Sequence, residues 1–120
     1  MRVDSLVPLA HVADVSRSAD FYVKLGFQVA NSFKPQDRLQ WAWLRAGNAD
    51  LMLGTADEPV IAEQQAVLFY VYTPDVPGMR EKLIRDGVDA GPIKFPFYNP
   101  RGEFRVVDPD GYVVMIAHTD

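Results

Sequence analysis

Cysteine is absent from the 120 residues, which removes disulfides, thiolate metal sites and cysteine nucleophiles together. Any metal would have to be held by His, Asp or Glu. Histidine is nearly absent too: His11 and His118 are the only two, with no HxH or HxxxH spacing, so neither supports a zinc site. Basic charge is in deficit, with 12 Lys and Arg against 16 Asp and Glu for a net charge of -4, a field that repels a phosphate backbone and argues against nucleic acid. No window approaches the roughly 20 apolar residues of a membrane span. No signal-type apolar stretch follows Met1-Arg2-Val3-Asp4, so the expectation is a cytoplasmic protein without membrane partners. A GxSxG nucleophile elbow is missing as well. What is present, 48% apolar and 12% aromatic residues, suffices for one core, and a single domain over residues 1–120 is expected.

Hydrophobic patterning predicts the elements. Leu6 to Val12 reads as a buried strand, and Asp14 or Ser16 caps a helix that carries Ala19, Phe21, Tyr22 and Leu25 inward and stops at Gly26. A strand at Phe27 to Ala30, a polar turn at Lys34 to Asp37, and strands at Leu39 to Arg45 and Ala49 to Gly54 around a turn at Ala46-Gly47-Asn48 complete a βαβββ module. That module covers about 1–57. A linker over about 58–65 leads to a second module over about 66–120. It opens with a strand at Val67 to Tyr72 and a helix near Val76 to Asp86, stopped by Gly87. Asp14 and Asp75, Val15 and Val76, and Gly26 and Gly87 share one offset of 61 residues, which marks a duplication. Strands at Phe104 to Val107 and Tyr112 to Ala117 flank the turn Asp108-Pro109-Asp110-Gly111, while Phe95 to Gly102 is too proline-rich for a long ladder strand and reads as a functional loop. The fold class is α+β: two βαβββ modules forming a curled mixed sheet, with helices on the outer face and a concave cavity.

The sequence also resembles the vicinal-oxygen-chelate superfamily of glyoxalases, bleomycin-resistance proteins and extradiol dioxygenases. The pieces that carry the resemblance are Ala13 to Tyr22, Leu25-Gly26-Phe27, Asp86-Gly87-Val88 and Phe104 to Tyr112, spread in family order over nearly the whole chain. These pieces are structural, and function must be read from the site. The resemblance implies one His, Gln or Glu ligand on the first and last strand of each half. Counting from the landmarks puts the equivalent positions at Val7, Leu51, Leu68 and Met115, none of which offers a hard divalent cation an oxygen or imidazole donor. No metal and no cofactor are expected; a one-residue slip at Leu51 would bring in Asp50 or Met52.

Strand alternation puts Leu9 and His11 on the face of Val7, Tyr70 and Tyr72 on the face of Leu68, and Val113 and Ala117 on the face of Met115. Trp41 and Trp43 share one face, though no landmark says which. The candidate ligand-binding residues are therefore His11, Trp41, Trp43, Tyr70, Tyr72, Phe97, Arg105 and Met115, a mostly apolar lining with a few polar handles suited to a planar or aromatic guest. Each has a plainer alternative. The tryptophans serve equally as core or dimer-interface residues, the tyrosines as filling for the sheet's curl, His11 as a structural histidine, and Phe97 as part of a lid or an interface. Arg101, Glu103 and Arg105 read as a solvated strand face, with one arginine free to hold an anion. No catalytic residue is assigned.

Three functions are open. The first is a metal-independent protein that sequesters a partly aromatic small molecule, as the resemblance to the bleomycin-resistance branch implies. The second is a glyoxalase-, isomerase- or dioxygenase-type enzyme with a non-standard active site, and the third a non-catalytic interaction module. Exposed strand edges and surface aromatics make a homodimer the expected assembly.

Overall fold

The structure is a computed structural model, and it describes residues 1–119. Two helices and seven strands run in the order β1 (Leu9–Val12), α1 (Val15–Lys24), β2 (Gln28–Phe33), β3 (Trp41–Ala46), β4 (Ala49–Thr55), β5 (Leu68–Thr73), α2 (Val76–Arg85), β6 (Glu103–Val107) and β7 (Val113–His118). Contacts divide the chain into two compact units, Met1–Val60 and a second from Ile61 onward. Each has its own mixed sheet, so the fold is α+β with two open sheets, not closed.

In the first half the strand order is β1-β4-β3-β2, with β1 parallel to β4 and the other pairs antiparallel. Helix α1 begins where Asp14, in extended conformation, accepts a hydrogen bond from the Arg17 backbone N–H at 3.2 Å. Its buried residues Val15, Ser18, Ala19 and Tyr22 fall at helical spacing and pack against β2, β3 and β4. Gly26, at φ 105°, reverses the chain, and Phe27 folds back edge-on to Tyr22 with ring centroids 6.0 Å apart. Alternate strand residues complete this core: Ala10, Val12, Ala42, Leu44, Leu51 and Leu53 are all buried.

The second half repeats the plan at the predicted offset. Asp75 accepts from the Gly78 backbone N–H at 3.0 Å, Val76 is as buried as Val15, and Gly87 at φ 83° stops α2. Its sheet has the order β5-β7-β6, again with a parallel pair, β5 and β7. Helix α2 packs on β6 and β7, above Phe104, Val106, Val114 and Ile116. The repeat is incomplete. The strand matching β2 shrinks to a single bridge between Lys94 and Glu103, because Pro92, Pro96 and Pro100 cannot donate to a ladder.

The turn into β7 is the tightest point. Asp108 Oδ1 accepts from the N–H groups of Asp110 at 2.8 Å and Tyr112 at 2.9 Å, and Gly111 adopts φ 87° against Ala62, whose Cα would lie 2.6 Å from an added Cβ. Gly47, in the other hairpin, has φ 55° and open space around it. Gly111→Ala should therefore cost at least about 2 kcal/mol, against about 1 kcal/mol for Gly47→Ala, where only the left-handed backbone is strained. Urea denaturation of the two variants checks the order.

Candidate functional site

Each helix covers one face of its sheet, and the other face is where the predicted residues lie. In the first half, register aligns Leu9, Met52, Trp43 and Asn31 in one row across the four strands, and His11, Gly54, Trp41 and Phe33 in the next. These residues alternate with the buried core set, so both tryptophans stand on the helix-free face. Their rings meet edge-to-face, centroids 6.4 Å apart at 81°. Gly54 leaves a slot between His11 and Trp41, narrowed by Leu9, whose Cδ2 lies 3.4 Å from where a Cβ would be.

Trp43 is fixed by its polar edge. Its Nε1–H donates to Asp50 Oδ1 at 2.7 Å, and the Arg45 Nε–H donates to the same oxygen at 2.8 Å. The indole and guanidinium hydrogen bonds hold the Asp50 carboxyl below its ordinary value of 3.8. Asp50, one residue from the counted position Leu51, orients the indole.

In the second half, Leu68, Val113 and Val107 form one row, Tyr70, Met115 and Arg105 the next, and Tyr72, Ala117 and Glu103 the third. Tyr70 and Tyr72 stack with centroids 6.1 Å apart, 28° from parallel. The loop after α2 carries Tyr98, whose phenol comes near enough to Tyr70 to act on it electrostatically. Burial first, then the negative charge of Glu103 and the neighbouring phenols, push Tyr70 above its usual 10.0, so it is a neutral hydrogen-bonding group at physiological pH. Phe97, by contrast, stands 94% exposed on that loop, in ring contact with Tyr98.

Two expectations are corrected. Leu51 is buried against α1, because the hairpin pairs Ala46 with Ala49 directly and makes the turn two residues long, not three. The positions of β4 on the helix-free face are Asp50, Met52 and Gly54. Glu103 is not on a solvated face: only 4% exposed, it lies beneath the loop and accepts from the Asn99 amide at 3.4 Å, while Arg105 stays exposed. Burial beside a tyrosine pair was not readable from a charged-neutral-charged pattern. His118 is half-buried at the end of β7, its ring against the Thr119 carbonyl.

The family's metal can be tested against these positions. On the helix-free faces of β1, β4, β5 and β7 the polar side chains are His11, Asp50, Tyr70 and Tyr72, and Asp50 is already bound to Trp43 and Arg45. Among the described residues no three His, Cys, Asp or Glu converge. This donor set does not fit a catalytic divalent cation. A cavity of about 410 Å³ in the first half lies elsewhere, between the N-terminal end of α1 and the Lys34–Leu39 segment, and holds none of the predicted residues.

The model of the Glyoxalase/Bleomycin resistance protein/Dioxygenase superfamily matches residues 3–116. The chain belongs to this superfamily. Its fold is shared with a bleomycin-binding protein from bleomycin-producing Streptomyces verticillus, solved with copper(II)-bleomycin, at 21% identity, TM-score 0.75 and coverage of 100% of this chain and 99% of that one. It is likewise similar to a bleomycin resistance determinant encoded on the transposon Tn5, at 16% identity, TM-score 0.78 and coverage of 98% and 99%. An antibiotic-binding protein from a Streptomyces species matches at 21% identity, TM-score 0.77 and coverage of 100% and 99%. No curated protein sequence matches the chain. Within that superfamily, this chain carries apolar side chains, two phenols, His11 and Asp50 on the helix-free faces of β1, β4, β5 and β7.

The Asp50 lock sets a pH dependence. A carboxyl lowered by its partners adds stability above its ordinary value of 3.8, and that contribution is lost as pH falls through the lower folded value. Indole emission of the folded protein should thus change with a midpoint below pH 3.8, and Asp50→Ala should abolish the step. A midpoint above 3.8 would contradict the lock.

Proposed function

We propose that the protein binds a small, partly aromatic molecule without a metal, using the helix-free sheet faces of a single domain. The observation that carries this reading is the placement of Trp41, Trp43, Tyr70 and Tyr72 on those faces, with Leu9, Met52 and Met115 among them and only a few polar groups. Indole and phenol rings offer large apolar area at little entropic cost, and a thioether adapts to the shape of a guest. Structural neighbours that bind antibiotics support a binding role over turnover, as does a donor set unsuited to a metal. His11 belongs to the proposed lining on the first sheet, and Arg105 and Phe97 to that of the second half.

The working form is proposed to be a cytoplasmic homodimer. The edge strand β2 is exposed throughout, including Val29 and Phe33, and an open edge with apolar side chains invites a second copy. Light scattering at micromolar concentration should give twice the 13.5 kDa chain mass; a monomer would refute the assembly.

Ligand binding to the folded state alone raises stability by about 2.7 kcal/mol at a hundredfold excess over Kd. A thermal-shift screen of aromatic antibiotics and glutathione conjugates should therefore find ligands whose stabilisation survives a chelator. Trp43→Ala should weaken such a ligand at least about tenfold, while Val23→Ala, on the exposed side of α1, should not. Conversion of the ligand, or dependence on divalent ions, would overturn the proposal.

A further inference from the structure

The buried Glu103 is used by nothing described so far. Its carboxylate belongs to the helix-free face of the second sheet, in the row of Tyr72 and Ala117. Its hydrogen bond from Asn99, at 3.4 Å, is long for a charge-assisted contact, and among the described residues it forms no ion pair. Lys94 lies opposite across the isolated bridge but is exposed, and Arg105, two residues along the same face, is exposed as well; neither is within ion-pair distance. A carboxylate taken out of water without a cation is costly unless a partner arrives.

The surroundings say what that partner is. Ala117, the smallest side chain of the row, is fully buried and stands between Tyr72 and Glu103 in the ladder, strands β5 and β6 being about 10 Å apart across β7. Tyr70 stacks on Tyr72, and the Glu103 charge and the Tyr98 phenol both act on Tyr70. Stacked phenol rings on the same face as a buried carboxylate attract a cation twice over, through its charge and through the negative faces of the rings. The net charge of -4 favours its approach.

We propose that Glu103, with the rings of Tyr70, Tyr72 and Tyr98, recognises a protonated amine carried by the aromatic ligand. This assignment rests on the binding role proposed above and narrows its ligand to a cationic aromatic compound. Glu103 acts as the counter-ion, the rings enclose the ammonium group, and Met115 meets the apolar body of the guest. Lys94 competes for the same carboxylate.

Three probes of one shape test it by calorimetry: 2-naphthylmethylammonium, 2-naphthylmethanol and 2-naphthoate. The wild-type protein should bind the ammonium at least about tenfold more tightly than the alcohol, and the carboxylate least. Glu103→Gln should remove the ammonium's advantage and leave alcohol binding within about twofold, while Lys94→Met should retain or enlarge it. Equal affinity of ammonium and alcohol for the wild type overturns the assignment and leaves aromatic binding standing, and this comparison needs no variant to fold. An unchanged preference in Glu103→Gln also overturns it. Failure of all three probes to bind overturns both the assignment and the binding role.

Discussion

A single ten-residue helix per half can cover one face of a sheet, and a sheet has two. Everything about the candidate site depends on that shortage. Alternation along the strands sends Ala42, Leu44, Leu51 and Leu53 under α1, and the same alternation sends Trp41, Trp43, Asp50 and Met52 the other way. The second half obeys the same rule, with Phe104, Val106, Val114 and Ile116 under α2 and Arg105, Met115 and the two tyrosines opposite. Large aromatic side chains on a face that the helix does not cover are available for something other than the helix.

Polar groups then fix these aromatics in place. Asp50 holds the Trp43 ring by its nitrogen, and the Tyr98 phenol acts on Tyr70. A ring held by one edge offers its remaining surface in a set orientation, which lowers the entropy lost when a guest stacks on it. The chemistry proposed for these faces is that of recognition. Superfamily membership is compatible with enzymes and binders alike, and the side chains on the ligand-bearing strands favour the second.

Much of the fold was legible because its landmarks are local. Asp14 and Asp75 cap their helices, and Gly26 and Gly87 end them with positive φ, as a repeat of 61 residues required. That Trp41 and Trp43 share a face follows from their spacing, but which face they share is set by pairing with β4, a long-range fact. The register of that hairpin pairs Leu51 with the buried Leu44, so the count of four from Gly47 lands in the core and not on the open face. Glu103 was misread for a similar reason. A charged residue on a two-residue repeat reads as solvated, and the loop that buries it returns from the far end of α2. Phe97 was correctly placed on a loop, but its neighbour Tyr98 is the residue that acts on Tyr70 of the sheet.

Binding at the helix-free faces has a direct readout in chemical-shift mapping. Titrating 15N-labelled protein with a stabilising aromatic ligand should perturb the indole N–H signals of Trp41 and Trp43 and the amides of β3, β4, β5 and β7, leaving the exposed sides of α1 and α2 unmoved. Perturbations confined to the helices, with both indole signals unchanged at saturation, would contradict it.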